Sequence, residues 1–397
     1  MHEESFISLL ILLSSVLLTS YLLHFILDKL RMPSLLAPLL TGFFFKLIPS
    51  TIINITSGEA FYILSQLGVI LLLFLVGMQL DLKELKGLSC QIAVISILNI
   101  LISMLSGSIV LVCFGYPPLI SIIVATALAT VAETTIAPIL DELGVIKTKM
   151  ANLILIPGIA DDVIEVILAS VVSFMVGTTE PSISPFTLIL GFFVFLATVL
   201  IVQRVLFLIV VIRDKNLKDP HLLLLIMFTI LFFTFISLNF RLGLLLGSLI
   251  SGIISQQLLK TLNKDVKTLN TIKTVTYGFL GPIFFFGIGL NTNLSDISTN
   301  ILLVLLLLAV NFGSKFVSAF IAGKIASLNL KEVILIGLGS SAKFSMGIIP
   351  VQILFSAGVI DQTVFSAFIA VSTITTMIVP FTLACGIERW KNELIKG

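Results

Sequence analysis

The sequence predicts an all-α polytopic membrane protein of about thirteen transmembrane helices, arranged as inverted repeats with two crossed, discontinuous helices. Three observations carry that reading. The 397 residues are 58% hydrophobic and only 11% charged, with a mean hydropathy of +1.20, whereas a soluble chain carries about 25% charged residues. Apolar runs of about seventeen residues or more recur from end to end, each long enough to cross roughly 30 Å of hydrocarbon. The basic residues fall in alternate loops. A β-barrel would show alternating segments of about ten residues instead.

The spans run 6–27, 33–48, 61–80, 88–114, 117–142, 149–177, 184–212, 220–238, 241–259, 272–290, 299–323, 331–357 and 362–387. The first begins after Met-His-Glu-Glu-Ser, which has neither a positive n-region nor a small-residue cleavage site, so it is expected to be retained. Odd-numbered loops hold Lys29 and Arg31, Lys83 and Lys86, Lys147 and Lys149, and Arg213, Lys215 and Lys218. Lys260, Lys264, Lys267 and Lys273 follow, then Lys324 and Lys331, and Arg389, Lys391 and Lys396 close the chain. Among the alternate loops only the 239–241 turn is basic, through Arg241. The positive-inside rule then puts the N-terminus outside and the C-terminus in the cytoplasm, in a plasma membrane. Arg204 and Lys315, inside spans, are expected to snorkel toward the cytoplasm. Lys343, about twelve residues into its span, has no such escape.

Gly77-Met-Gln-Leu-Asp-Leu-Lys-Glu-Leu85 closes the third span, and Gly289-Leu-Asn-Thr-Asn-Leu-Ser-Asp-Ile297 closes the tenth in register. Spans seven apart run in opposite directions, and inverted repeats mark transporters with a site at the repeat interface. The fifth and twelfth spans share this offset. The fifth carries Thr130, Glu133 and Pro138, and the twelfth carries Gly337, Gly339, Ser340, Ser341, Lys343, Gly347 and Pro350. Such Gly-, Ser- and Pro-interrupted pairs point to unwound helices at a binding site, and unpaired backbone at that depth must line a cavity or be buried in protein.

The sixth span places Asp161, Asp162 and Glu165 on one helix flank, since Glu165 is one turn from both aspartates. Intramembrane acids cost roughly 2.5–3.5 kcal/mol each on insertion scales. Thr130–Glu133, Asp161–Asp162 and Lys343 all count to mid-membrane. Carboxylates and backbone carbonyls suit a hard alkali cation, and adjacent carboxylates titrate as a coupled pair. Binding an alkali cation at Asp161 and Asp162 then excludes binding protons, which is what exchange requires. The bland alternative is a buried Lys343–aspartate pair that only fixes packing. Glu165 is equally readable as cavity wall, and Glu133 as either a ligand or a neutraliser of a helix end. Asn99 and Asn311 are expected to bond between helices. Cys90, Cys113 and Cys385 are scattered and imply neither a disulfide framework nor a metal site.

Leu67-Gly-Val-Ile-Leu-Leu-Leu-Phe-Leu-Val-Gly77-Met-Gln-Leu-Asp-Leu, Phe284-Phe-Phe-Gly-Ile-Gly289-Leu, the Asp161–Asp162 pair and Lys343 together resemble the monovalent cation:proton antiporter superfamily, in its second, bacterial and archaeal branch. The resemblance covers nearly the whole chain. It implies thirteen helices in a single membrane unit over 1–397. A core of about 61–177 and 272–387 would move against a dimerisation scaffold of about 1–60 and 184–259. It also implies a homodimer, with Asp162 as main cation ligand and proton carrier and Asp161 as partner of Lys343. Phe344-Ser345 stand where many relatives carry Gly-Glu, and Glu133 and Glu165 are extra to the pattern. The chain stops soon after its last helix, so the cytoplasmic nucleotide-binding domain of potassium-efflux relatives is not expected.

The reading is a secondary active sodium:proton antiporter, electrogenic, working by alternating access, with potassium:proton exchange as the alternative. A cation channel fits less well, because no carbonyl filter motif repeats. No enzyme activity is expected: adjacent aspartates on one helix point about 100° apart, a poor dyad for a protease. The implied partners are membrane lipid, monovalent cations and protons. The net charge of +2 gives no reason to invoke nucleic acid, and no cofactor is called for beyond the transported ions.

Overall fold

A computed structural model describes residues 2–29, 35–46, 59–79, 90–132, 136, 139–140, 143–145, 148, 150–155, 157–158, 193–195, 197–205, 207–208, 219–240, 243–262, 265–343 and 347–394. Among them all regular structure is helical. The helices are α1 (His2–Lys29), α2 (Leu36–Lys46), α3 (Glu59–Gln79), α4 (Cys90–Cys113), α5 (Pro118–Ala127), α6 (Asp219–Asn239), α7 (Gly243–Leu262) and α8 (Asp265–Val275). A wide π turn, Thr276–Leu280, joins α8 to α9 (Gly281–Asn291), and α10 (Leu294–Thr299), α11 (Ile301–Ala326), α12 (Leu330–Gly339), α13 (Ile348–Ser356) and α14 (Gln362–Leu394) follow. Short helical stretches also occur at 150–155, 157–158, 193–195, 197–205 and 207–208.

Among the described residues, six helices are long and apolar enough to cross a membrane: Phe6–Lys29, Ala93–Cys113, Pro220–Asn239, Thr268–Asn291, Ile301–Ile325 and Gln362–Trp390. Their side chains are sorted inside out relative to a soluble protein. Ile11, Leu22, Ile109, Leu224, Leu302 and Phe381 point outward, while Asn99, Ser103, Asn311, Ser314, Lys315 and Ser318 are buried. Lipid tails are as apolar as leucine, so outward leucines lose nothing and polar groups gather where helices touch. Buried hydroxyls are mostly satisfied within their own helices: Ser318 Oγ donates to the Ser314 carbonyl at 2.7 Å and Thr376 Oγ1 to the Ser372 carbonyl at 2.7 Å.

Local signals set several boundaries. Asn329 accepts the Glu332 N–H at 2.9 Å while the Glu332 carboxylate accepts the Asn329 N–H at 2.9 Å, a reciprocal cap that starts α12. Ser327, at φ 53°, ends α11 and sends the Leu328 N–H back to the Gly323 carbonyl at 2.9 Å. Helix α10 was not anticipated from the apolar pattern. The Asn293 side chain initiates it by accepting the Ser295 N–H at 3.2 Å. Helix α14 continues past the expected end at 387, because its polar last turns stay helical beyond the apolar limit.

The chain divides into two compact units. The first comprises Met1–Leu18, Phe44–Leu80 and Ala169–Gly287; α7 packs there between α3 and α6, and the π turn lies against α3. The second comprises Thr19–Phe43, Asp81–Leu168 and Ile288–Gly397; α4 packs on α5 and α11, and α11 and α14 flank α12.

The repeat read from the sequence recurs as a repeated contact. A Cβ on Gly77 would lie 2.1 Å from the Leu249 carbonyl oxygen and 3.1 Å from Gly252 Cα, within the first unit. A Cβ on Gly289 would lie 2.1 Å from the Leu39 carbonyl oxygen and 3.0 Å from Gly42 Cα, within the second. Leu39-Leu-Thr-Gly42 thus does for Gly289 what Leu249-Ile-Ser-Gly252 does for Gly77. Only glycine permits backbones to meet this closely, so all four glycines serve the crossing. Matched residues also touch one another: Ser103 Oγ lies 2.7 Å from Ser314 Oγ, 211 positions along the chain. Gly77 and Gly289, and likewise Asn99 and Asn311, are matched one residue further apart.

Candidate functional site

The site lies where two helices of the second unit stop short. Pro118 starts α5, with its missing N–H at a position that needs none. The helix ends as the Leu128 N–H reaches the Val124 carbonyl at 3.1 Å and the Ala129 N–H the Thr126 carbonyl at 2.9 Å. Helix α12 ends likewise, with the Ser340 N–H on the Ile336 carbonyl at 2.9 Å and the Ser341 N–H on the Leu338 carbonyl at 3.0 Å. Its glycines are packing residues: a Cβ on Gly337 would sit 2.7 Å from the Phe316 ring and one on Gly339 2.8 Å from Ile154 Cδ1. Helix α13 resumes at Ile348.

Beyond the two ends the strands of backbone meet. The Ala132 N–H donates to the Ala342 carbonyl at 2.9 Å. Asn311 Nδ2 donates to the Ser341 carbonyl at 3.0 Å. Lys343 donates its ammonium to the Thr130 carbonyl, and Lys315 donates its ammonium to the Ala129 carbonyl. Four consecutive-pair carbonyls, at Ala129–Thr130 and Ser341–Ala342, therefore each have a named donor. Buried backbone demands this accounting.

Both ammonium groups sit just past the C-terminal end of α5, where helix dipoles concentrate negative potential. Lys343 is 2% exposed and Lys315 0%. An ammonium is a cation held by oxygen, so two cations already rest on the carbonyls that a metal ion of single charge would seek. Thr130 is buried, with Oγ1 donating to the Ala127 carbonyl at 3.0 Å.

Lys315 corrects the expectation that it snorkels. It belongs to the site, one turn beyond Asn311 on a helix whose buried polar face is Asn311, Ser314, Lys315 and Ser318. That polar spacing on an otherwise apolar helix was the signal available in the sequence. Asn311 bonds between elements as expected, whereas Asn99 has no hydrogen-bond partner for either amide atom. Of the other sequence-derived site residues, Glu133, Asp161, Asp162 and Glu165 lie outside the described residues.

A family profile described as "Sodium/hydrogen exchanger, transmembrane" matches residues 13–385. The chain belongs to the sodium/hydrogen exchanger family. It is a multi-pass membrane protein of the monovalent cation:proton antiporter superfamily. Among its relatives within this family, a Na⁺/H⁺ antiporter of Enterococcus hirae is 26% identical over 322 residues, 80% of this chain and 83% of that one. The Na⁺/H⁺-K⁺ antiporter GerN of Bacillus cereus is 24% identical over 360 residues, 89% of each. The fold is similar to that of the sodium proton antiporter MjNhaP1 from Methanocaldococcus jannaschii at pH 8, with a TM-score of 0.63, 18% identity and 98% of both chains covered.

Proposed function

We propose that this exchanger-family protein is a secondary active, electrogenic sodium:proton antiporter that works by alternating access. The observation that carries the reading is the pair of buried ammonium groups, Lys315 and Lys343, on adjacent carbonyls at the end of an interrupted helix. A cation site that already holds internal cations can exchange them for an external one only with a compensating movement of charge. The Enterococcus relative, named as a Na⁺/H⁺ antiporter, supports sodium as the cation.

In this reading Asp162 is the main Na⁺ ligand and proton carrier, Asp161 pairs with Lys343, and the Thr130 carbonyl and Glu133 contribute oxygen. Glu165 lines the approach. When both aspartates and the lysine carry protons, roughly two protons move against one Na⁺, so transport responds to membrane potential. The full architecture is thirteen helices with the fifth and twelfth crossed and discontinuous. A core of about 61–177 and 272–387 moves against a dimerising scaffold of about 1–60 and 184–259. The N-terminus is outside the plasma membrane and the C-terminus in the cytoplasm, as the basic loops require.

Purified protein in proteoliposomes, with an internal pH dye and an imposed potential, tests this. Na⁺ addition is expected to dissipate a pH gradient, at a rate that changes when the potential is clamped. A flux indifferent to potential rejects electrogenic exchange. The GerN relative, named for sodium and potassium, supports a second reading in which K⁺ is also carried. Equal dequenching by K⁺ and Na⁺ would establish it.

A further inference from the structure

The seam between α4 and α11, inside the second unit, brackets an unmet polar group between two packed contacts. Ser103 Oγ lies 2.7 Å from Ser314 Oγ. One turn further along α4, a Cβ on Gly107 would lie 3.7 Å from Val310 Cγ1, one turn earlier on α11. The two helices are therefore antiparallel. In the other direction, Ile95 of α4 shares an apolar cluster with Ala319 and Ala322 of α11. Asn99 is midway between Ile95 and Ser103, and Ser318 midway between Ser314 and Ala322, each step being one turn. Asn99 and Ser318 thus face each other across the seam.

Both residues are 0% exposed, yet neither Nδ2 nor Oδ1 of Asn99 has a hydrogen-bond partner. Ser96, one turn before Asn99 on the same flank of α4, is also buried and its Oγ is unpartnered too. Ser318 Oγ donates to the Ser314 carbonyl at 2.7 Å, which leaves its oxygen able to accept. Few buried groups stay unmet, because each keeps its full desolvation cost. The chemistry of the set selects an occupant. A metal cation would suit the Asn99 carbonyl oxygen and strand its NH₂ group, and an anion would do the reverse. Water both donates and accepts, and a buried water typically makes about three bonds to otherwise unsatisfied groups.

We propose that Ser96, Asn99 and Ser318 form an internal binding site for water between α4 and α11. The Asn99 NH₂ group donates to this water, which donates in turn to Asn99 Oδ1 and to the Ser318 oxygen, with Ser96 Oγ as a further partner. The helices are joined there through water and not by a direct side-chain bond. The hydrated turn of α11 is the one that carries Lys315, so the water supports the segment from which that ammonium reaches the Ala129 carbonyl. The inference rests on packing within the second unit and not on the antiport reading.

Brief X-ray irradiation of the purified full chain turns bound water into hydroxyl radicals that oxidise adjacent side chains, and mass spectrometry reads the product. Ile95, 1% exposed and next to Ser96 in the chain, is expected to be oxidised several times more than Leu335, 0% exposed in the same apolar cluster. Asn99→Leu is expected to bring Ile95 down to the level of Leu335. It is also expected to lower Tm by roughly 2–4 °C, because bonds to water are lost. A dry amide gives the opposite sign: leucine of similar shape would remove an unmet polar group and raise Tm or leave it unchanged. Equal oxidation of Ile95 and Leu335 in the native chain overturns the proposal. So does an Asn99→Leu chain in which Ile95 is still oxidised or Tm does not fall. If Asn99→Leu does not fold, Ser318→Ala takes its place: a drop in Ile95 oxidation supports the site, and an unchanged level rejects it.

Discussion

Lys343 and Thr130 are 213 positions apart in the chain, and the ammonium of the first is held by the backbone carbonyl of the second. That bond, with its neighbour between Lys315 and Ala129, joins the interruption after α5 to the one after α12 and to α11. Elements far apart in sequence thereby share one polar centre inside an apolar bundle.

Lys315→Met is expected to reduce Na⁺-dependent exchange at least about tenfold, because it removes a buried charge and strands the Ala129 carbonyl, a loss of roughly 1–3 kcal/mol. Arg204, also basic and inside an apolar span, is exposed, so Arg204→Gln is expected to change exchange less than about twofold. Proteoliposome flux measures both. Equal effects of the two substitutions would remove Lys315 from the site.

Asp162→Asn is expected to abolish exchange and Na⁺ binding while the protein still purifies as a folded species, since a neutral amide can neither carry the proton nor balance the cation. Asp161→Asn is expected to leave exchange insensitive to imposed potential, because Lys343 loses its reason to be charged. Persisting voltage dependence in that variant would break the pairing of Asp161 with Lys343.

Gly289→Ala is expected to destabilise the protein by about 1–3 kcal/mol, as its methyl would lie 2.1 Å from the Leu39 carbonyl oxygen and backbone must move. Gly313, within α11, has nothing within 4 Å of an added Cβ. There alanine is expected to be neutral or to stabilise by up to about 1 kcal/mol through helix propensity. Thermal unfolding of the two variants side by side checks the contrast, which fails if both shift alike.

At the turn before α5, the Tyr116 hydroxyl donates to both carboxylate oxygens of Asp361, at 3.0 and 3.1 Å, and Asp361 Oδ1 also accepts the Val364 N–H at 3.0 Å to cap α14. Burial, then the hydrogen bond and the charge of Asp361, push the Tyr116 phenol well above its ordinary range. The sign follows from linkage. The folded chain keeps a proton that the unfolded chain releases near pH 10, so this stabilisation is whole below about pH 10 and is lost as pH rises beyond it. Tyr116→Phe is expected to lower Tm modestly at neutral pH and to remove that part of the alkaline loss. An identical alkaline slope in both proteins would contradict the assignment.

Much of the architecture was legible in the linear pattern. The long described helices fall on spans drawn from apolar runs alone, because a segment that must satisfy its own backbone in lipid has few options besides a helix about twenty residues long. The glycine motifs at Gly77 and Gly289 were visible as a repeat, and Lys343 stood out because a charge so deep has no route to water. What glycine does at each place was not visible: Gly337 and Gly339 looked like helix breakers and serve as contact surfaces for Phe316 and Ile154.

Lys315 marks where the linear pattern ends. Its distance from the cytoplasmic end of its helix permits snorkelling, and only the packing of α11 beside α4 and α12 turns the side chain inward to Ala129. Asn99 and Asn311 are alike in sequence, each a lone amide in an apolar span, yet one is bonded and the other is not. Sequence by itself determined that this chain spans a membrane with repeated halves and buried charge near its middle, since those follow from local hydrophobicity and spacing. Tertiary structure alone decided which carbonyl each buried donor meets, because a hydrogen bond of about 3 Å depends on how separate helices cross.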